Sequence, residues 1–225
     1  MNTLFALRTA VLSATCLALT AATALAQDGS AQLRPVGSFE QLRASGALNV
    51  VLRQGSATEV KVEAAPAVLA SVRTVVEGNT LKVYREKTKG LSWGKAEKVT
   101  VYVTCPRLSS LDVSGASDVK GVSPFTAEQF SIRVSGASDV TLQLTARQLT
   151  AHASGASDLR LTGRVERQQV HVSGASDYRA YELQSQQAQV EASGASDAFV
   201  YVDGELDARS SGASDVHYKG KARQK

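Results

Sequence analysis

The sequence predicts an all-β fold: a right-handed parallel β-helix, or β-solenoid, of two sheets with coils of about 20 residues. Three observations lead there. The pentapeptide SGASD occurs six times, at Ser114–Asp118, Ser135–Asp139, Ser154–Asp158, Ser173–Asp177, Ser193–Asp197 and Ser211–Asp215, in steps of 21, 19, 19, 20 and 18 residues. Apolar residues alternate on both sides of the motif, as in Leu111 and Val113 before the first copy and Val140, Leu142 and Leu144 after the second. Period two marks a strand with one buried face, and no 3.6-residue period interrupts this half of the chain.

One repeat therefore reads as strand, tight SGASD turn, strand and looser return. Such a unit cannot bury its apolar face alone, but stacked copies can, each bonded to the next at about 4.8 Å. Twenty residues at about 3.3 Å each make a circuit of roughly 66 Å, which suits a flattened coil of two short strands and two corners.

The elements follow in chain order. Residues 1–26 read as a secretory signal peptide: Arg8 is the positive n-region, Val11 to Leu25 is apolar, and Ala24-Leu25-Ala26 is an A-x-A cleavage signature. Residues 27–38 read as an N-terminal extension, and 39–110 as a β-rich part stacked on or capping the solenoid. There, Ser45-Gly46-Ala47 is the same corner without its aspartate, and Glu59–Glu63 and Thr80–Tyr84 alternate as strands. Pro66 to Val76, with Pro at its start and Gly78 beyond its end, reads as a short helix, and Glu77-Gly78-Asn79 as a hairpin turn. The repeats occupy 111–220, and 221–225 is a tail.

The turn residues have local explanations. Gly115, Gly136, Gly155, Gly174, Gly194 and Gly212 supply positive φ at the corner. Ala116 and its equivalents are small, which suggests side chains pointing into the narrow edge of the core. Ser and Asp can hydrogen-bond the turn's own amides.

The whole chain carries a net charge of +4. The excess is concentrated between Lys82 and Lys98, read as a solvated hairpin loop with an anionic polysaccharide or membrane surface as the alternative partner. An exported chain has little occasion to meet nucleic acid, so none is expected as a partner. Without the leader and its Cys16, Cys105 is the remaining cysteine, read as a buried residue at a strand end. No second apolar stretch of spanning length follows the leader.

The order of segments is SFEQLRASGALNVVLRQG, a VKVEA strand, VEGNTLKVY, KVTVYVTCPRLSSLDVSGASDV and then glycine-centred repeats. From about Phe39 to Tyr218 it resembles the bacterial family called putative auto-transporter adhesin, head GIN domain. The resemblance implies a two-sheeted β-helix distantly like the pectin lyase architecture, without that group's catalytic residues, and a role in adhesion or another surface function. Only VHYKGKARQK follows Asp215, so a translocator barrel and self-export are not expected.

Chemistry in the sequence is sparse. Asp118, Asp139, Asp158, Asp177, Asp197 and Asp215 should form a column, and close unit charges repel by about 1 kcal/mol even in water. Amide hydrogen bonds within the turns are the favoured compensation, with calcium as the alternative. His152 and His171 occupy equivalent positions and could stack, but without a matching third histidine they read as solvent-facing residues. Arg133, Arg160 and Arg179 are on outward phases. Tyr178 and Tyr218 occupy the apolar phase of Val119 and Val140, and so read as core. No G-x-S-x-G, H-E-x-x-H or P-loop pattern occurs. The expectation is an exported, periplasmic or cell-surface binding or scaffold module without catalytic residues or cofactor. Its partner would be an envelope or extracellular polysaccharide or protein, and oligomers are open. A polysaccharide lyase-like enzyme and a calcium-stabilised surface protein are the alternatives.

Overall fold

The computed structural model describes residues 30–86 and 98–225; the leader and most of the basic run after Lys82 lie outside the described residues. In chain order the strands are β1 (Ser30–Arg34), β2 (Gln41–Ser45), β3 (Asn49–Gln54) and β4 (Glu59–Ala64). After helix α1 (Pro66–Leu69) come β5 (Val72–Glu77), β6 (Thr80–Arg85), β7 (Thr100–Cys105), β8 (Ser110–Ser114) and β9 (Asp118–Gly121). The long strands β10 (Phe125–Val134), β11 (Asp139–Ala153), β12 (Asp158–Val172), β13 (Asp177–Gly194) and β14 (Asp197–Gly212) follow, and β15 (Asp215–Lys219) and β16 (Arg223–Gln224) end the order.

From β10 to β15 every neighbour pairing is parallel, and the motif aspartates align: Asp139, Asp158, Asp177, Asp197 and Asp215 are successive register partners. The chain is a β-solenoid of about 6 turns. Each of β11 to β14 wraps one coil, and β9 with β10 makes up the coil before them. In β11 burial alternates to Ala146, fails at the exposed pair Arg147–Gln148, and resumes in opposite phase at Leu149. That phase change is the second corner, and through it the two walls join in one bonded network. An outer charge ladder lines the corner, Arg147 bridging Glu128 at 2.6 Å and Glu166 at 3.4 Å.

The N-terminal part is built on the same frame. Ser45 pairs Ser114 and Asn49 pairs Asp118, so β2–β3 is a coil with Asn49 in the aspartate position. Beyond it, β6 and β7 add in parallel, and then β4, β5 and β1 add antiparallel. One hydrophobic cluster runs without a break from Phe39 to Leu206. The helix is shorter than the sequence suggests: it ends at Leu69, and Val72–Glu77 is a strand. There the β-branched residues Val72, Thr74, Val75 and Val76 pair with β6 instead. Gly78 (φ 60°) makes the expected β5–β6 hairpin turn.

The corner is held between coils. The amide of Ala156 donates to the carbonyl of Gly136, that of Ala175 to Gly155 and that of Ala195 to Gly174, at 2.7–2.8 Å. This contact seats each glycine directly against the one before. At Gly155 φ is +86°, and an added Cβ would lie 2.5 Å from the Gly136 oxygen. Two independent reasons therefore demand glycine, the left-handed backbone and the close approach.

The expectation for alanine is corrected. Ala116 and its equivalents are exposed, and the second serine of each motif points inward instead: Ser117, Ser138, Ser157, Ser176, Ser196 and Ser214 are buried. These hydroxyls satisfy corner groups locally and between coils. The Ser157 hydroxyl donates to the Ser154 carbonyl at 2.9 Å, and the Ser176 hydroxyl accepts from the Ser157 amide at 3.2 Å. A buried serine so placed removes the cost of an unpaired corner amide, about 1–3 kcal/mol.

Gly155→Val combines positive φ with a backbone clash in a middle coil, and should destabilise by more than about 1–3 kcal/mol. Arg160→Gln, on the exposed wall, should stay within about 0.5 kcal/mol. Thermal melts of the two variants beside the parent check this; a Gly155→Val melt within a degree of the parent would refute the corner constraint.

Candidate functional site

Stacking in register turns each outward position into a column across coils, and two columns carry polar chemistry. In the first, Arg43, Asp112, Arg133, His152, His171, Glu191 and Arg209 are successive partners on the wall before the motif. The expected histidine stack is present, with His152 and His171 4.9 Å apart at 8°. His171 Nδ1 faces Glu191 at 3.0 Å. Burial lowers the pKa of His152 below its ordinary value, and the neighbouring His171 and Arg133 lower it further. Arg43 pairs with Asp112 at 2.9 Å. Among the described residues, the ligand atoms of His152, His171 and Glu191 do not gather into a metal-binding group.

The second column is on the wall after the motif: Lys120, Thr141, Arg160, Arg179, Phe199 and His217. Here the regular ladder fails. The register shifts between Arg160 and Thr162 opposite β13, and again between Ala180 and Gln184 opposite β14. Tyr181 keeps the outward phase set by Tyr178 and Ala180, and its ring meets Phe199 edge to face at 5.3 Å; the irregular stretch leaves Glu182 exposed where plain alternation would bury it. Phe199 in turn stacks on His217 at 5.0 Å, and the Lys219 ammonium lies over the Tyr181 ring at 4.2 Å. Bulges often re-aim side chains beside binding sites.

The result is an open groove of about 500 Å³ lined by Arg160, Leu161, Thr162, Asp177, Arg179, Tyr181, Glu182 and Phe199. Arg179 is tied to Asp177 at 2.7 Å and reaches Asp158 at 3.7 Å, which holds its charge in place. Arg160 has no carboxylate partner among the described residues. A second depression of about 340 Å³ at the other corner is lined by Gln148, Arg167, Gln169, Gln187 and Gln189 among others, and has no aromatic ring.

The motif aspartates do form the expected column, but their hydrogen bonds run between coils rather than within the turn. Asp139 Oδ1 accepts from the Asp158 amide at 3.4 Å, and Asp197 Oδ1 from the Asp215 amide at 3.2 Å. With Arg179 reaching Asp158 and Asp177, part of the repulsion is met by protein groups. Among the described residues, the group whose ligand atoms gather within 4.8 Å of one another is Asp197, Asp215 and His217. Asp118, Asp139, Asp158 and Asp177 do not belong to it.

Three further residues complete the comparison with the sequence. Cys105 is buried, and burial pushes its thiol up to about 11, far from a nucleophile's range. Tyr178 is core as expected, its hydroxyl donating to Gln168, whose amide donates to Ser185 at 2.8 Å. Tyr218 is not core: it is 43% exposed, because among the described residues β15 has a strand neighbour on one edge only, and none covers the ring beyond Val200.

The fold and its outward columns define a β-solenoid whose polar chemistry is displayed on a wall rather than enclosed in a pocket. The chain belongs to the family putative auto-transporter adhesin, head GIN domain, whose model matches residues 38–222. Similar solved structures include one described as a putative adhesin from Bacteroides fragilis, with TM-score 0.82, 22% identity, and 88% of this chain and 91% of that one covered. Another, described as a putative adhesin from Parabacteroides distasonis, has TM-score 0.64 and 15% identity over 87% of this chain and 96% of that one. A third, from the same species and described as a putative lipid binding protein, has TM-score 0.59 and 14% identity over 88% and 96%. At these identities the likeness is one of fold. No curated protein matches this chain in sequence. Among the described residues, no helix is long and apolar enough to cross a membrane.

Calcium can now be tested against the groups on the wall. If amides and Arg179 compensate the aspartates, added calcium or a chelator should leave the melting temperature unchanged. Cation binding at a hundred times the dissociation constant would instead stabilise by about 2.7 kcal/mol, and a shift of that size, lost in Asp158→Asn/Asp177→Asn, would overturn the expectation.

Proposed function

We propose that the protein is an exported, non-enzymatic binding module of the cell envelope that holds an extended polysaccharide in the Arg160–Phe199 groove. One observation carries the reading: the ladder breaks where two half-exposed aromatic rings, two guanidinium groups and two carboxylates meet along an open groove. Aromatic faces pack against sugar rings. Arginine forks bind uronate carboxylates in two-pronged fashion, and carboxylates accept from sugar hydroxyls. An open groove whose lining spans several coils suits a polymer rather than a small molecule. The family description and the names given to similar structures, adhesins and a binding protein rather than enzymes, support the same reading. The leader sequence ending at Ala26 supports export.

Binding to a glycan array followed by titration calorimetry checks the groove. Tyr181→Ala and Arg160→Ala should each weaken binding about tenfold, equivalent to about 1.4 kcal/mol. Binding unchanged in both variants would move the site elsewhere. The purified protein should show no turnover of pectin, alginate or peptidoglycan with or without calcium; turnover abolished by Arg160→Ala or Asp177→Asn would make the protein an enzyme. In cell fractions, terminal sequencing of the envelope-associated protein should begin at Gln27.

A further inference from the structure

Strand β15 is bonded to β14 along one edge, and no described strand pairs its other edge. An open edge of this kind is a template for another strand. The inward residues of β15 show what is missing. Ala198 and Val200 of β14 are fully buried, whereas their register partners Val216 and Tyr218 are half-buried and 43% exposed. On the outward side are Asp215, His217 and Lys219. Neither Asp215 nor Lys219 has an ion-pair partner among the described residues, and the Lys219 ammonium rests on the Tyr181 ring.

We propose that β15 pairs with β15 of a second copy of this chain, antiparallel about a two-fold axis through His217, joining two solenoids end to end. The segment DVHYK is complementary to itself in that register and in no other. Asp215 falls opposite the partner's Lys219, and Lys219 opposite the partner's Asp215. Opposite charges directly across antiparallel strands attract, and like charges repel. Val216 falls opposite the partner's Tyr218, so the exposed ring is covered by an apolar side chain and the core continues from one copy into the other. A slip of one residue would set inward against outward side chains, and a slip of two would set Lys219 or Asp215 against His217 and leave the other charge beyond the paired segment.

The two-fold relation also keeps the inward faces of both copies on the same side of the shared sheet, as a closed isologous contact requires. The other open edge on this wall, β1, is a poorer match: full parallel overlap with β15 would set Lys219 beside Arg34. This contact is independent of the polysaccharide reading, although it would bring two Arg160–Phe199 grooves into one particle.

Sedimentation velocity of the full chain over a wide concentration range tests the proposal, with circular dichroism confirming that each variant is folded. The parent should dimerise. Lys219→Asp should weaken association at least about tenfold by setting aspartate against aspartate at both ends of the pairing. The charge swap Asp215→Lys/Lys219→Asp should restore it, since complementarity returns only if β15 faces itself. In hydrogen exchange, the β15 amides facing away from β14 should gain protection as parent concentration rises, and not in Lys219→Asp. A monomeric parent, an unaffected single variant, a swap that fails to restore association, or exchange independent of concentration would each overturn the proposal.

Discussion

The constraint on which the structure depends is the contact between successive corners, where one glycine carbonyl accepts the alanine amide of the next coil. Ala137 on Gly115, Ala156 on Gly136, Ala175 on Gly155, Ala195 on Gly174 and Ala213 on Gly194 repeat it with almost constant length. A corner can close this way only without a Cβ, since at Gly136 an added carbon would sit 2.3 Å from the preceding oxygen. Because each corner is clamped to the one above, the phase of every strand is set anew at each coil. A difference of one or two residues in repeat length is then absorbed elsewhere, and the columns on either side of the corner remain in register.

That arrangement explains why the pentapeptide is repeated while the rest varies. Burial requires only that inward positions be apolar and of suitable size, so Val119, Val140, Leu159, Tyr178 and Ala198 can follow one another in a single inner column. Where the column admits the large Tyr178, Gln168 and Ser185 take up its hydroxyl and amide partners inside the core. Outward positions are freer still. The wall before the motif uses its freedom for charged residues and stacked histidines, with Arg43 paired to Asp112 and His171 to Glu191. The wall after the motif collects Tyr181, Phe199, His217 and two arginines in its later coils.

The repeat, the strand alternation, the glycine corners, the buried Cys105 and the stacked histidines were all legible in the sequence, because each follows from periodicity or residue type alone. Four features were not. The inward serine could not be told from the neighbouring alanine, since a residue at positive φ breaks the two-residue count through the turn. Val72–Val76 carries apolar residues at spacings compatible with either a helix or a strand, and only the partner strand β6 decides between them. Tyr218 has the phase of a core residue, but phase says which way a side chain points and not whether anything lies beneath it. The groove was hidden for a related reason: the pairing slips between Ala180 and Gln184, and a slip has no signature in the spacing of the motif beyond one longer step.

That slip separates the two requirements on a solenoid surface. A perfectly regular ladder presents identical rows, with every backbone group paired and every side chain flanked by its equivalents at about 4.8 Å. Such a wall has no concavity, because nothing interrupts the rows. Relaxing the pairing between Ala180 and Gln184 opens one, and the corners on either side confine the disturbance to a few residues. Regularity at the glycines therefore permits irregularity at the groove: the clamp that makes the coils stack also limits how far a bulge can spread. The groove crosses the coils represented by Arg160, Arg179 and Phe199, so a chain bound along it would run with the solenoid axis and meet a different side chain at every coil.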